Sequence, residues 1–264
     1  MTRPRILVTN DDGVFSEGIE RLASALEPVG EVFTVAPDQE RSAAGHSLTL
    51  HSPLRAKRVG ENRWSVDGTP TDAVNWGVLH LLKGRRPSLL FSGINLGLNL
   101  GDDVTYSGTV SAAFEGTLIG VPSVAISQEI ETGFTFDAAA SFAERLAREL
   151  LVRGLPPGTL VNVNVPAGEP VGVRVARLGK RRYGETVIEK ADPRGRPYYW
   201  IGSTVPVGEL EEGTDISAVA EKHISMTPLH LDLTDYRSIE KLEGIAARVT
   251  LGPSPDADRV KQGS

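Results

Sequence analysis

Short apolar runs alternate with amphipathic stretches through roughly the first two-thirds of the chain. Apolar runs bounded by turn residues predict buried strands, and apolar residues at helical spacing predict helices. The predicted strands cover residues 6–8, 31–36, 88–91, 121–126 and 160–165, and the predicted helices cover residues 16–28, 69–84, 110–119 and 137–151. This alternation predicts an α/β fold with a doubly wound, mostly parallel sheet between two helical layers.

The pattern changes after Pro166. Residues 171–175 alternate like an exposed strand, and residues 180–183 and 192–197 have the composition of turns in an extended β arm. Between polar segments lies the apolar run Tyr198-Tyr199-Trp200-Ile201, which favours burial against a partner subunit. Packing of this run on the chain's own core is the alternative. We expect the polar tail 252–264 to be frayed.

Composition narrows the functional classes. The 264 residues include 40% hydrophobic and 23% charged residues, typical of a globular protein with one large domain or two small ones. A net charge of −6 argues against a surface for duplex nucleic acid. The absence of cysteine excludes disulfides and thiolate metal sites and favours a reducing environment. With no apolar stretch of signal or membrane-span type, we expect a cytoplasmic protein.

An acidic pair, Asp11-Asp12, follows the first predicted strand in the sequence Val8-Thr9-Asn10-Asp11-Asp12-Gly13. Open α/β sheets bind their ligands at the carboxyl ends of strands. Two adjacent carboxylates repel each other there, so a bound cation is the favoured explanation. An Asp-Asp-Gly surface turn is the alternative.

Three further segments, residues 36–47, 67–70 and 92–110, are rich in small polar residues and are expected at the same sheet edge. A hard divalent cation takes carboxylate, hydroxyl and carbonyl oxygens as ligands. Asp11, Asp12, the Ser42 hydroxyl and the Asn95 amide oxygen would supply such a set. Only two of these ligands are charged, so the ion would not be over-neutralised and open positions would remain to receive an anion.

The predicted anion site is Ser107-Gly108-Thr109 at the start of a helix, with Asn99 as a further donor. Simple helix caps at Ser107 and Thr109 are the alternative. Gly93, Gly97 and Gly101 are also explained by tight turns or close backbone packing. They do not form a Walker loop, because no Gly-Lys-Ser/Thr follows them. Asp102 and Asp103 are expected in a solvated turn. The five histidines show no metal-binding pairing and are expected to be structural, with His46 alone near the site.

The chemistry predicted from these residues is phosphoryl transfer to a water that a metal ion activates. Asp11 or Asp12 would accept the proton of that water. A covalent mechanism of the haloacid dehalogenase type is disfavoured, because the second Asp of that motif stands two positions after the nucleophile. A Rossmann oxidoreductase is disfavoured too, since Gly-x-Gly-x-x-Gly is missing after the first strand. A nucleotide-binding module without turnover remains the alternative.

Several motifs together resemble the SurE survival protein family. In chain order they are Asn10-Asp11-Asp12-Gly13, Ala36-Pro37 followed by Ser42 and Ser47, Gly68-Thr69-Pro70, Ser92-Gly93-Ile94-Asn95 with Gly97 and Asn99, Tyr106-Ser107-Gly108-Thr109-Val110, Asn164-Val165-Pro166 and Ile224-Ser225-Met226-Thr227-Pro228-Leu229. They span most of residues 6–231. One departure is Ala43, where the family commonly has Gly after the metal-binding Ser.

The resemblance implies a metal-dependent phosphomonoesterase for nucleoside 5′- and 3′-monophosphates, with short polyphosphate as a further substrate of some members. It implies a Rossmann-like fold and homodimers or homotetramers built by exchanged C-terminal arms. Carried over by position, Asp11, Asp12, Ser42 and Asn95 would hold one divalent ion per subunit, Mg²⁺ or Mn²⁺. Asn99, Ser107, Gly108 and Thr109 would bind phosphate. The expected organisation is one domain over residues 1–251, with a core of about 1–166 and an arm region of about 167–235.

Overall fold

A nine-stranded sheet forms the centre of the computed structural model, which describes residues 3–42, 45–182, 187–201 and 207–249. Its strands are β1 (Arg5–Thr9), β2 (Glu31–Pro37), β3 (Ala56–Gly60), β4 (Arg63–Val66), β5 (Leu89–Leu96), β6 (Ser123–Gln128), β7 (Thr159–Val165), β8 (Gly172–Val175) and β13 (His223–His230). The strand order is β3-β4-β2-β1-β5-β6-β7-β13-β8. The six strands from β4 to β7 are parallel, whereas β3 and β13 run antiparallel to their neighbours β4 and β7.

Helices cover both faces of this sheet. They are α1 (Glu17–Leu26), α2 (Pro70–Asn75), α3 (Gly108–Leu118), α4 (Asp137–Arg153) and α5 (Asp215–Ala220). Along β1, Ile6 and Val8 pack with α1 and α4 in one hydrophobic cluster, whereas Leu7 packs with α2 and α3 in another. Successive strand side chains point to opposite faces, so both faces of β1 are buried. The expected three-layer α/β/α architecture is confirmed.

The helix expected over residues 69–84 has two parts. Thr69 caps α2 in a reciprocal capping box with Asp72, and Pro70 occupies the first turn, as its fixed φ favours. After Asn75 the chain continues as a π-helix, Trp76–Leu81. The helix position was therefore predicted, but its change of winding was not.

Strand β5 is longer than the predicted 88–91. It continues to Leu96, and Asn95 pairs with Ser127 of β6 beyond a register shift. Gly93 makes this path possible, because its φ is +137° and a Cβ there would lie 2.2 Å from the Ile126 carbonyl oxygen. Asn95 therefore stands on a strand rather than in the loop that its small polar neighbours predicted.

The region after Pro166 forms two small antiparallel sheets and also contributes β8 and β13 to the main sheet. Strand β10 (Val187–Ala191) pairs with β11 (Pro197–Ile201), and β9 (Arg181–Arg182) pairs with β12 (Val207–Gly208). The β10–β11 hairpin turns at Asp192–Gly195, as expected. The turn expected at 180–183 is wrong for Arg181 and Arg182, which form β9.

The described residues up to Leu231 form one compact unit. Those from Asp232 form a second, with a 3-10 turn, Tyr236–Ser238, and helix α6, Ile239–Ala246. Ala43, Tyr183 and the predicted frayed tail 252–264 lie outside the described residues. No helix in the described part combines the length and apolarity that a bilayer span requires. The division into a core and an arm region stays a prediction.

Candidate active site

A cavity of about 450 Å³ lies at the carboxyl edge of the parallel strands. It is lined by Asp11, Asp12, Glu40, Ser42, Asn95, Leu96, Asn99, Asp103, Tyr106 and Ser107. Six of the eight residues predicted to bind metal and phosphate line it. The other two, Gly108 and Thr109, lie next to Asp11 in the first turn of α3. The segment 67–70, expected at the same edge, does not line the cavity and instead starts α2.

Asp11 is held in place from several sides. Its side chain is buried and accepts hydrogen bonds from the hydroxyl and the backbone N–H of Thr109. Its carbonyl oxygen accepts the N–H of Arg41 at 2.8 Å, which ties the loop after β2 to the end of β1. A Cβ at Gly108 would lie 2.7 Å from the Asp11 Oδ2 atom. Glycine therefore lets the start of α3 approach Asp11 closely.

The neighbouring turn is closed by Asn10. This buried side chain donates from Nδ2 to the Ser16 hydroxyl at 2.7 Å and to the Gly13 carbonyl at 3.2 Å. Gly13 has a φ of +102°, a conformation that favours glycine. The turn between β1 and α1 is thereby fixed, and the carboxyl group of Asp12 is directed to the cavity.

Both aspartates have a raised pKa. Burial raises the pKa of Asp11 despite the hydrogen bonds from Thr109. Burial, and after it the charges of Asp11 and Glu40, raise the pKa of Asp12 to about 7. In the absence of a counter-charge, the ionised pair is therefore unfavourable in the folded protein. A cation at the carboxyl groups would remove that penalty.

Glu40 is a cavity residue that the sequence analysis missed. It lies on the loop after β2, and its Oε1 atom accepts the Ser42 hydroxyl at 2.7 Å. An acidic residue in a loop is usually solvated, so its type gave no sign of a role. Its position two residues before Ser42, in a segment already expected at this sheet edge, was the available signal.

Asn95 and Ser107 each use one polar group of the side chain in a hydrogen bond within the protein. Asn95 donates from Nδ2 to the Gly97 carbonyl at 2.8 Å, which fixes its amide on the cavity wall. Ser107 caps α3 by accepting the Val110 N–H at 3.1 Å, as the simpler interpretation expected, and it also lines the cavity. Capping and ligand binding are compatible, because the hydroxyl hydrogen of Ser107 is not used by the cap.

The solvated turn expected at Asp102 and Asp103 is wrong for Asp103. These residues belong to a 3-10 helix, Gly101–Thr105, in which Asp103 lines the cavity and forms an ion pair with Arg181. The backbone N–H of Arg181 also donates to Asp102 at 3.2 Å. Strand β9 thus contacts the wall of the site, through a pairing of distant residues that no local pattern reveals.

His46 does not line the cavity. It contacts the buried Glu115 of α3 at 2.7 Å, and Asn75 donates to the same carboxylate at 2.7 Å. This network joins α2, α3 and the loop after Ser42. The structure thus gives His46 a role in joining elements rather than in lining the site.

The donor set of the cavity fits a hard divalent cation. Among the described residues there is no cluster of three His, Cys, Asp or Glu side chains arranged as a metal centre. The candidate ligands beyond the acidic pair are the hydroxyl of Ser42 and the amide of Asn95, which are neutral oxygens. No lysine, arginine or histidine is among the described lining residues. Oxygen ligands of this kind suit Mg²⁺ or Mn²⁺ better than softer metals.

Comparison with models of known families matches residues 6–185 to the family described as Survival protein SurE. The chain belongs to the SurE family. The "5′-nucleotidase SurE" of Geobacter sulfurreducens is 55% identical over 242 residues, covering 90% of this chain and 92% of that protein. The protein of the same name from Myxococcus xanthus is 51% identical, covering 91% and 92%.

A solved structure of the SurE family shares the fold. The crystal structure of the SurE protein from Aquifex aeolicus is 42% identical, with a TM-score of 0.82, covering 92% of this chain and all of that one. The resemblance inferred from the motifs is therefore confirmed. The roles of the individual side chains stay predictions.

We expect Asp12→Asn to stabilise the metal-free protein by about 1 to 2 kcal/mol at pH 8, because the amide removes a buried charge and its repulsion. The pKa of Asp12 in the folded protein, about 7, lies above the ordinary 3.8. Ionisation therefore costs stability as the pH rises between these values. The gain in unfolding free energy of Asp12→Asn over wild type should be complete above pH 7 and should vanish below pH 3.8, the ordinary pKa of aspartate. Denaturant unfolding in EDTA across this range measures it.

Asp38→Asn is the matched control, since Asp38 is exposed at the end of β2 and does not line the cavity. It should leave the free energy of unfolding nearly unchanged. An Asp12→Asn protein that is less stable than wild type at pH 8 without metal would contradict the electrostatic account of the pair.

Proposed function

We propose that this protein is a metal-dependent phosphomonoesterase that hydrolyses nucleoside 5′- and 3′-monophosphates to nucleoside and phosphate. One observation carries the proposal: an acidic pair, with Asp11 buried and Asp12 partly buried, shares one cavity with the N-terminus of α3. The first feature suits a divalent cation, and the second suits a phosphoryl group. The name 5′-nucleotidase borne by relatives at 51–55% identity supports the same reaction. Short polyphosphate, which also ends in a phosphoryl group, is included as a further substrate.

The proposed ligands of one divalent ion per subunit, Mg²⁺ or Mn²⁺, are Asp11, Asp12, Ser42 and Asn95. When bound, the ion supplies positive charge to the phosphoryl oxygens and lowers the pKa of a water molecule. Asp11 is buried and held by Thr109, so it is suited to keep a fixed ligand position. Ser42 and Asn95 contribute neutral oxygens, so the two carboxylates balance the charge of the ion without exceeding it, and open coordination positions remain for a phosphoryl oxygen.

Asp12 is the proposed acceptor of the water's proton. It is less buried than Asp11 and lines the cavity, so its carboxylate is within reach of a water molecule there. The phosphoryl oxygens are proposed to bind the Ser107 hydroxyl, the Asn99 amide and the N-terminal turn of α3 at Gly108. These are preorganised dipoles at a buried position, which stabilise developing negative charge. The hydroxyl and N–H of Thr109 are donated to Asp11, so Thr109 is proposed to act on the phosphate site through that carboxylate.

We expect Asp12→Asn to lower kcat by about 10³-fold or more, because it removes both a charged ligand and the proton acceptor. EDTA should abolish phosphate release from nucleoside monophosphates, and Mg²⁺ or Mn²⁺ should restore it. Phosphate-release assays measure the loss of kcat, and Mn²⁺ titration calorimetry measures the loss of metal affinity. Asp38→Asn should behave as wild type in both. Binding of nucleotide without turnover under every metal would favour a sensing module instead.

We further propose that the nucleoside occupies a cleft beside the catalytic cavity. This cleft of about 160 Å³ shares Asp12 and Leu96 with that cavity. Its far wall is the edge-to-face pair Phe134 and Phe136, with ring centroids 5.4 Å apart. An aromatic wall joined to a phosphate site suits a stacked base.

We expect Phe134→Ala to raise KM for nucleoside monophosphates about 3- to 10-fold, since it removes the stacking surface. KM for a small alkyl phosphate should not change, because that substrate does not reach the cleft. Steady-state kinetics on both substrates test this. Phe15→Ala is the control, an exposed aromatic residue that lines neither cavity. An equal rise in KM for both substrates would show that Phe134 acts on the whole site instead.

We propose that the protein forms homodimers or homotetramers through its C-terminal arms. The support is the β10–β11 hairpin, on which Tyr199 and Trp200 are 57% and 61% exposed. Such large apolar side chains usually become buried in an interface. A cytoplasmic location remains the expectation from the lack of cysteine.

We expect Trp200→Asp to shift the oligomer toward smaller species, because a charge in the interface is costly. Light scattering coupled to size-exclusion chromatography measures the mass. Val152→Asp on α4, where the valine is 84% exposed, is the control and should leave the mass unchanged. A Trp200→Asp protein with the mass of wild type would place the interface elsewhere.

A further inference from the structure

The segment between β5 and the 3-10 helix, residues 97–100, carries Asn99 into the cavity wall. Asn99 is only 8% exposed, and the main chain beside it is fastened at both ends. The Gly97 N–H donates to the Gln128 carbonyl at 2.8 Å, and the Gly101 N–H donates to the Asp215 carboxylate at 2.8 Å. The position of Asn99 is therefore set by contacts from outside its own segment.

Asn99 itself is held by buried polar side chains of β6 and β7. Its N–H donates to Asn164 Oδ1 at 2.8 Å, and its carbonyl oxygen accepts from Asn164 Nδ2 at 3.0 Å and from Asn162 Nδ2 at 2.8 Å. The side-chain amide donates from Nδ2 to the Ser127 hydroxyl at 2.7 Å. Ser127 and Asn164 are register partners across β6 and β7, and both are fully buried.

We propose that Ser127 and Asn164 are positioning residues that act on the phosphate site through Asn99. Asn164 holds the main chain of Asn99 by both of its polar groups, and Ser127 fixes the rotation of its amide. Because an amide group is planar, one hydrogen bond at Nδ2 sets the direction of the second N–H and of Oδ1. This inference rests on the proposed function, since it takes Asn99 as a phosphate ligand. It also gives a role to Asn164 of the Asn164-Val165-Pro166 motif.

A purely structural role for Ser127 is the competing explanation, and Ser123 provides the matched control. Both serines lie on β6, four residues apart, and both are fully buried. Within the described part of the chain, each forms one side-chain hydrogen bond of similar length: Ser127 accepts from Asn99 at 2.7 Å, and Ser123 donates to the Val121 carbonyl at 2.8 Å. Ser123 lies at the opposite end of the strand from the cavity. Replacing either by alanine removes one buried hydrogen bond, but only Ser127 contacts a cavity residue.

The test is the affinity of the Mn²⁺-loaded protein for inorganic phosphate, measured by calorimetry. We expect Ser127→Ala to weaken phosphate binding about 5- to 10-fold, the loss expected of one misdirected hydrogen bond. KM for nucleoside monophosphates should rise with it, with a smaller change in kcat. Ser123→Ala should leave phosphate affinity unchanged while lowering the melting temperature by a similar amount.

The double variant decides whether Ser127 acts through Asn99. In an Asn99→Ala background, Ser127→Ala should have no further effect on phosphate affinity, because the group that it orients is gone. Equal phosphate affinity in Ser127→Ala and Ser123→Ala, or an undiminished effect of Ser127→Ala in the double variant, would overturn the positioning role. Wild-type protein that binds no phosphate and hydrolyses no nucleotide would overturn the proposed function itself, and this inference with it.

Discussion

Two adjacent carboxyl groups are kept largely out of water at the end of β1, and the rest of the site is arranged around that constraint. Burial raises the pKa of both aspartates, and the charge of Asp11 raises the pKa of Asp12 further. A fold selected for stability alone would not retain such a pair, since neutral side chains of the same size would cost less. The pair is therefore best understood as a place for positive charge.

The surrounding residues allow close approach to the acidic pair, but those that line the cavity in the described part of the chain place no positive charge beside it. Gly108 lets α3 approach Asp11 to a distance that a Cβ would forbid, and Thr109 then donates two hydrogen bonds to the carboxylate. Ser42, from the opposite loop, is joined to a third carboxylate, that of Glu40. Small residues and hydroxyl groups around the acidic pair allow close approach, and none of the described lining residues adds a positive charge. The negative potential of the cavity is thus preserved for a cation.

The periodic parts of the chain could be predicted from sequence, because strand and helix patterns are local. The apolar run at β1 and the capping signal at Thr69 each specify one element. The continuation of β5 to Asn95 could not be predicted, since it depends on a register shift against β6 and on Gly93 fitting beside the Ile126 carbonyl. Likewise, the local sequence predicts that Asp103 lies in a solvated turn, whereas in the structure Asp103 pairs with Arg181, far along the chain. What sequence reasoning missed are contacts between distant segments.

Those distant contacts have a common function in the structure: they fix the loops that carry the candidate site. Loops at a sheet edge are usually mobile, yet a phosphoryl site needs donors held in place before the ligand arrives. Here Arg41 ties the loop after β2 to Asp11, and Asn164 ties Asn99 to β7. Each anchor is a hydrogen bond to a neighbouring strand or to its end, so the rigidity of the sheet extends into the site. If Asn99 binds phosphate as proposed, residues on β6 and β7 take part in orienting it through their hydrogen bonds to Asn99.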